Sequence, residues 1–232
     1  MRRCKTQRWI AILICVWLCM QSTLITQALP AGVHYRHTNS ANKIALTFDD
    51  GPHPRYTPEI LEILADYGIH ATFFFVGENV LYYPEVARAV AQGGHEIGNH
   101  THHHISPGQQ SDAKLLREEL SQCEQAIQQM TDTSPKLFRP PQGTWNDMLY
   151  SLAREKDYEI VLWNIDTLDW AHTPAEQITA HVLEQVKSGD IILMHDYQSG
   201  VCTTTEALRT LIPILLERGF HFVTISELLG SV

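Results

Sequence analysis

The sequence predicts an α/β protein in which helices cover both faces of a parallel sheet. From residue 42 onward, short apolar stretches alternate with longer amphipathic ones, and about seven strands can be assigned in this way. The first stretch, KIALTF at 43–48, is largely apolar, as in strands that are buried on both faces. These observations are compatible with an open sheet and with a closed barrel.

Each strand is assigned from a largely apolar run that is followed by turn residues. The run at 43–48, for example, ends at the turn sequence DDGP, and the run ATFFFV at 71–76 is rich in aromatic and β-branched residues. The predicted strands are 43–48, 71–76, 95–98, 136–139, 159–164, 190–194 and 221–224.

Helices are assigned where apolar residues recur every three or four positions between typical start and stop residues. Thr57 and Thr173, each followed by proline, are predicted N-caps, and Ser226 is predicted to cap a last short helix. The predicted helices are 57–67, 85–92, 111–130, 146–156, 173–187 and 205–218. In the longest, one buried face is expected to contain Leu115, Leu116, Leu120, Cys123 and Ile127.

The first 28 residues have the composition of a targeting segment. Four basic residues and no acidic one precede or border the apolar run at 9–20, and a small residue, Ala28, follows. This order predicts a secretory signal peptide that is cut after Ala28. The alternatives are an uncleaved membrane anchor over 9–28, since the run continued to Ile25 approaches the length of a span of about 20 residues, and a buried helix. With either a signal or an anchor, the protein is expected to be secreted or extracytoplasmic.

Composition and charge restrict the class of protein further. The formal charge is −9 and falls to −13 without residues 1–28, because 13 basic and 26 acidic residues remain. This argues against a nucleic-acid partner, which requires a basic face. The hydrophobic fraction of 44% excludes a disordered chain. Beyond residue 28 only Cys123 and Cys202 remain, so one disulfide at most is expected.

Chemically reactive side chains cluster where the predicted strands end, which is where such folds place their active sites. Asp49 and Asp50 follow a buried strand, where two carboxylates are unfavourable unless they are paired or bind a metal; a solvated turn is the alternative. His100 and His104 are four residues apart, so in a helical turn both imidazoles would share one face and could bind one metal. In that geometry 102–103 point away and are expected to be solvated.

A metal-dependent hydrolase also needs a general base, a general acid and charge stabilisation. One aspartate of the pair at 49–50 could be the base, and His195 could be the acid, although a core histidine is the alternative. Asp169 could hold that imidazole cationic, Arg139 could orient a carboxylate through two hydrogen bonds, and the backbone after Pro141 could donate to an oxyanion. A non-haem iron oxygenase would also use two histidines and a carboxylate, but it would not explain these partners.

Five segments, in order, resemble the five motifs of the polysaccharide deacetylases, the NodB-like domain of carbohydrate esterase family 4. The resemblance extends over about 42–229 of the chain. It implies a single-domain distorted (β/α) barrel at 42–230, preceded by an N-terminal arm at 29–41. The segments are TFDDGP at 47–52, HTHHH at 100–104, RPPQG at 139–143, DTLDW at 166–170 and LMH at 193–195.

The same resemblance implies a role for individual residues. A divalent metal, usually Zn²⁺ with Co²⁺ or Mn²⁺ as alternatives, would be held by Asp50, His100 and His104. The general base would be Asp49, ordered by Arg139, and the general acid would be His195, tuned by Asp169. The substrate-binding residues would be Pro141, Gln142, Trp170 and Leu193, the last two lining a pocket for the acetyl methyl group.

Gln142 stands where the family frequently has tyrosine. Since the implied contribution at this position is a backbone N–H to the oxyanion, the difference affects the choice of substrate more than activity.

The implied activity is removal of N-acetyl groups from N-acetylglucosamine polymers such as peptidoglycan or chitin oligomers, by a monomer whose partner is an acetylated glycan. An O-acetyl esterase acting on xylan or another acetylated glycan is the alternative, because the same site could release an alkoxide. An inactive glycan-binding module would require loss of a ligand or of His195, and none is lost. A metal-buffering protein, suggested by five histidines within 95–104, would bind several ions per chain.

Overall fold

The computed structural model describes residues 29–38, 40–106, 111–197, 200 and 202–230. The predicted targeting segment therefore lies outside the described residues. The chain divides into two compact units, Met1–Ala31 and Gly32–Val232, and the second contains all the elements given below. Among the described helices, none combines the length and the apolar character of a membrane span.

The described part of Gly32–Val232 contains nine strands, all of which pair in parallel. They are β1 Val33–His34, β2 Lys43–Asp49, β3 Thr72–Phe75, β4 Glu96–Asn99, β5 Leu137–Phe138, β6 Glu159–Val161, β7 Ile165–Asp166, β8 Ile191–His195 and β9 His221–Phe222. Their order is β1-β6-β5-β4-β3-β2-β8-β7, and β9 pairs with the start of β2. Because the strands are parallel, their carboxyl ends meet at one edge of the sheet.

A single stretch of chain, 159–166, links the two sides of this curled sheet, which forms a distorted barrel. Its first part, β6, pairs with β5, and its last part, β7, pairs with β8. Between them, Leu162 N–H donates to the His34 carbonyl and Asn164 N–H to the Ile191 carbonyl, so the chain leaves one ladder and enters another. Only three residues lie between β6 and β7, so the two strands stay within about 14 Å of each other along the chain. The sequence had predicted one strand at 159–164; the strand ends earlier, at Val161, and β7 lies beyond the predicted range.

Eight helices of the described residues surround the sheet. They are α1 Tyr56–Asp66, α2 Gly77–Tyr82, α3 Pro84–Gln92, α4 Ala113–Thr131, α5 Asp147–Glu155, α6 Ala175–Gln185, α7 Thr204–Glu217 and α8 Ile225–Leu229. Every predicted strand and helix is found in the predicted order, whereas β1, β7 and α2 were not predicted. Leu115 is also 42% exposed instead of buried on the α4 face.

The alternation of side chains along β2 determines which residues enter the barrel. The apolar residues at 44, 46 and 48 pack outward against the helices in the largest core cluster. Residues at odd positions, among them Thr47 and Asp49, therefore face the interior. The apolar layer inside the barrel, which the short helix α8 covers at one end, consists of Ala45, Phe74, Leu137, Val161, Ile191, Ile225 and Leu228.

Three predicted helix caps are wrong, and a tertiary contact explains one of them. Thr57 lies inside α1, and its hydroxyl donates to Asp196 Oδ2 over 2.5 Å. Thr173 makes no cap hydrogen bond, since Pro174 occupies the N-cap position of α6. Ser226 lies inside α8, whose cap is Thr224. The possible disulfide is also absent from the described residues, where both thiols are buried and free.

Candidate active site

Asp49 ends β2 inside the barrel, where it meets the guanidinium of Arg139. Arg139 follows β5 and is fully buried, and its Nη1 donates to Asp49 Oδ1 over 2.7 Å and to Thr47 Oγ1 over 2.8 Å. Its other nitrogens donate to the carbonyls at 161 and 162. Arg139 thus holds the carboxylate through one hydrogen bond, not two as the sequence analysis predicted, because most of its donors bind the wall of the barrel.

Asp50 faces two imidazole nitrogens. Its Oδ1 lies 3.4 Å from His100 Nε2 and 3.2 Å from His104 Nε2. Asp50 has a left-handed backbone with φ +76°, so the chain turns at the strand end and both adjacent carboxylates reach one site. Burial alone would raise the pKa of Asp50, but the neighbouring His100 and His104 outweigh it and hold the pKa well below its ordinary value.

These three side chains fit a divalent cation. Asp50 Oδ1 is buried and has no hydrogen-bond partner among the described residues, which is unfavourable unless an ion binds it. One atom from each of the three residues lies within 4.8 Å of the others. Zinc bonds of about 2.0–2.1 Å at tetrahedral angles separate two ligand atoms by roughly 3.3 Å, close to the measured distances. His100 Nδ1–H donates to the Arg139 carbonyl over 2.7 Å, which leaves Nε2 free to bind a metal.

The two histidines converge by a different route from the predicted helical turn. Residues 100–106 form an irregular loop after β4, in which Thr101 and His104 have left-handed backbones with φ +66° and +56°. His103 is exposed, as predicted, and contacts Glu119. His102 is half-buried, and its Nδ1 is buried without a partner among the described residues, so the expectation that it is solvated is wrong.

His195 ends β8 and forms a pair with Asp169. The imidazole Nδ1–H donates to Asp169 Oδ1 over 2.7 Å, and His195 N–H donates to Asp169 Oδ2 over 2.7 Å. Asp169 is fully buried and also accepts hydrogen bonds from Trp170 N–H and from the Thr204 hydroxyl. Burial alone would lower the pKa of His195, but Asp169 and the acidic pair at 49–50 raise it to about 9. In the metal-free protein this environment favours the protonated imidazole at neutral pH.

A cavity of about 430 Å³ joins these groups at the carboxyl edge of the sheet. Trp170, 55% exposed, and the buried Leu193 both line it, as does Gln142, whose φ is +60°. Pro141 is buried in the same turn and is not among the described lining residues. The residues lining the cavity are Asp49, Asp50, His100, His104, Gln142, Trp163, Asp166, Trp170, Leu193 and His195.

Sequence reasoning assigned no role to three residues in or beside this site. Trp163, in the bend between β6 and β7, lines the cavity, and its ring lies against the Arg139 guanidinium. Asp196 is fully buried and leaves Oδ1 without a partner among the described residues. Burial raises the pKa of Asp196 to about 7, against the opposing effect of the Thr57 hydrogen bond. Glu119, on α4, contacts the histidine loop. Only Asp196 had a signal in the sequence, its position directly after His195.

Comparison with known proteins agrees with this geometry. The polysaccharide deacetylase family model matches residues 36–161. A peptidoglycan-N-acetylglucosamine deacetylase of Bacillus cereus is 42% identical over 203 residues, which cover 86% of this chain and 94% of that protein. A chitooligosaccharide deacetylase of a Bradyrhizobium species is 32% identical over 206 residues, which cover 84% of this chain and 94% of that protein.

Two solved structures have the same fold. One is a peptidoglycan N-acetylglucosamine deacetylase in complex with 4-naphthalen-1-yl-N-oxidanyl-benzamide, with a TM-score of 0.82 and 33% identity over 85% of this chain and 92% of the other. The other is a CE4 family pseudoenzyme from Bacillus anthracis, with a TM-score of 0.80 and 31% identity over 87% of this chain and 70% of the other. The likeness in fold therefore extends to a protein described as a pseudoenzyme.

Fold and site together define a carbohydrate-active hydrolase built on a distorted (β/α) barrel. The chain belongs to the polysaccharide deacetylase family, the NodB-like enzymes of carbohydrate esterase family 4, which hydrolyse carbon–nitrogen bonds other than peptide bonds.

Proposed function

We propose that this protein is a secreted, metal-dependent N-deacetylase that removes acetyl groups from N-acetylglucosamine units of peptidoglycan or related glycans. The observation that carries the proposal is the convergence, at one cavity, of a potential metal site, a carboxylate held by a buried arginine and a histidine held by a buried aspartate. The name of the 42% identical relative supports the substrate class. We further propose that the catalytic domain spans 42–230 and acts as a monomer.

Asp50, His100 and His104 would hold the metal. Two nitrogen ligands and one oxygen ligand leave a position open for water and substrate, as in catalytic zinc sites, so we propose Zn²⁺, with Co²⁺ or Mn²⁺ as alternatives. When bound, the metal supplies a Lewis acid that polarises the acetyl carbonyl and lowers the pKa of water.

The remaining residues would move protons and hold the substrate. Asp49 is placed to accept a proton from the attacking water, because Arg139 binds Oδ1 and Oδ2 lies on the side of the metal site, 3.8 Å from His100 Nε2. His195, protonated through Asp169, is placed to give a proton to the leaving amine. The Gln142 N–H would donate to the oxyanion.

Pro141, Trp170 and Leu193 would shape the pocket for the acetyl group. Trp170 and Leu193 line the cavity directly, while the buried Pro141 would fix the turn that carries Gln142.

Acetate release tests this proposal. Purified protein is incubated with N-acetylglucosamine oligomers, peptidoglycan and acetylated xylan, after chelation and again after zinc is restored. We expect zinc-dependent release from the amide substrates. Release from xylan alone would replace the proposal with an O-acetyl esterase, and a zinc-loaded protein inactive on all three would indicate a binding module. The N-oxidanyl-benzamide bound by the related enzyme is expected to inhibit.

Secretion is tested separately. The N-terminal sequence of protein recovered outside the cell should begin at Leu29, whereas retention of 1–28 in a membrane fraction would favour the anchor.

A further inference from the structure

Helix α4 contacts the histidine loop through one buried carboxylate. Glu119 is 7% exposed, and its Oε2 accepts the backbone N–H groups of His102 and His103 over 2.9 and 2.7 Å. Its Oε1 accepts from His103 Nδ1–H over 2.7 Å. Three donors of the loop thus converge on one side chain, and all three belong to the residues between the two histidines that would bind the metal.

The loop needs such support because its backbone is strained. Thr101 and His104 have left-handed φ values, which cost roughly 1–2 kcal/mol at a residue other than glycine. The strained positions lie on either side of the two N–H groups that Glu119 binds. Without these contacts, we expect the loop to relax and His104 to lose its position relative to His100.

Other contacts fix the beginning of the loop. Asn99 Nδ2–H donates to the Leu120 carbonyl over 2.8 Å, and Asn99 Oδ1 accepts from Thr101 N–H over 2.9 Å. These contacts hold the segment next to His100. On the side of His104, the Glu78 N–H donates to the His102 carbonyl over 3.0 Å, and the Ile105 N–H donates to the Thr101 hydroxyl over 3.1 Å. Glu119 is the side chain that accepts from both His102 and His103, so it joins the middle of the loop to α4.

We propose that Glu119 is a positioning residue that sets the metal affinity of the enzyme by holding the loop between His100 and His104. This inference rests on the metal site proposed above. Glu119 is not among the described residues that line the cavity, so it acts through the loop and not on the substrate. A carboxylate is needed because it accepts on both oxygens, whereas a glutamine accepts on one only.

The test compares Glu119→Gln with Glu118→Gln. Glu118 is the adjacent residue of α4 and is half-exposed, with its Oε1 3.9 Å from Lys114 Nζ. Its replacement is therefore the matched control. The zinc dissociation constant is measured by competition with a chromophoric chelator, and the Co²⁺ absorption spectrum reports the ligand geometry. We expect Glu119→Gln to bind zinc 10- to 100-fold more weakly, with a changed Co²⁺ spectrum, and Glu118→Gln to match the wild type.

A purely structural role for Glu119 would lower the unfolding temperature of the metal-free protein while leaving the zinc affinity of the folded protein unchanged, and that result would overturn the proposal. If Glu119→Gln does not fold, the shorter carboxylate of Glu119→Asp decides by the same measurement. If the wild-type protein itself binds no zinc, the proposed function fails instead.

Discussion

Arg139 Nη1 donates to Asp49 Oδ1 over 2.7 Å inside the barrel, where the guanidinium is completely buried. The ring of Phe74 lies 4.1 Å from the guanidinium carbon. One carboxylate oxygen is thus fixed to the barrel wall, and the other is directed to the proposed metal site. Arg139 orients the proposed base, and Asp49 neutralises the buried cation. Replacing either residue should therefore change both activity and stability.

Asp49→Asn is expected to retain one zinc per chain and to lose turnover by at least about 100-fold, because a general base is removed and no ligand. The free energy of unfolding should also fall, by about 3 kcal/mol, because the charge of Arg139 is left without its partner. Metal content is measured by elemental analysis, turnover by acetate release and stability by urea unfolding. Loss of zinc from the folded variant would show that Asp49 is a ligand.

His104→Ala is expected to lose zinc and activity together, since it removes one of three proposed ligands. The control is His181→Ala, which changes an exposed histidine of α6 and should keep both. Both variants are titrated with zinc in the presence of a competing chelator. An active His104→Ala enzyme that binds zinc like the wild type would contradict the assignment of ligands.

Asp169→Asn is expected to lower the pKa of His195. Burial alone would lower that pKa, but Asp169 together with Asp49 and Asp50 raises it to about 9. A raised histidine pKa adds stability that is present below pH 6.5 and is lost as the pH rises through 9. In the metal-free protein, His195 should therefore titrate near pH 9 by NMR, and well below that in the variant. The alkaline limb of the activity profile should move in the same direction.

Asp166→Asn is the control, because Asp166 lies on the cavity wall and its contacts are with Leu168 and Trp170. Asp166→Asn should leave the pKa of His195 unchanged. An unchanged titration in Asp169→Asn would mean that Asp169 does not hold the proton on His195.

Asp196→Asn is expected to stabilise the metal-free protein at alkaline pH. Burial raises the pKa of Asp196 from 3.8 to about 7, so the native state binds the proton more tightly and stability falls as the pH rises from 4 to 7. A neutral amide avoids this loss, and the free energy of unfolding at pH 8.5 should rise by about 1–3 kcal/mol. The effect is measured by urea unfolding at several pH values, with the exposed Asp66 replaced in Asp66→Asn as the control. A gain in the free energy of unfolding that persists at pH 4 would show that titration of Asp196 is not its cause.

The sequence predicted the site where strand alternation and strand ends determine it. Asp49 faces the barrel interior because β2 alternates, and it lies opposite His195 because the parallel strands β2 and β8 share a carboxyl edge. The convergence of His100 and His104 was also predicted, although through a helical turn that does not form. A four-residue spacing can be closed by more than one backbone path, and spacing alone does not select the path.

Contacts between distant segments could not be predicted in this way. Glu119 reads as one of several acidic residues on an amphipathic helix, and its orientation toward the loop depends on how α4 packs. Thr57 has the sequence context of an N-cap, but a buried aspartate 139 positions away competes for its hydroxyl. In both cases the role of the side chain depends on how distant segments pack, and local sequence patterns do not predict that packing.

The bend at 162–164 contributes to the sheet and to the pocket at once. It joins β6 to β7, and its Trp163 forms part of the cavity wall. An insertion or deletion there would change the register of the barrel and the shape of the pocket in one step, so it should rarely be tolerated. Changes in the glycan that such a protein accepts are then expected at cavity residues outside the bend, such as Gln142 and Trp170.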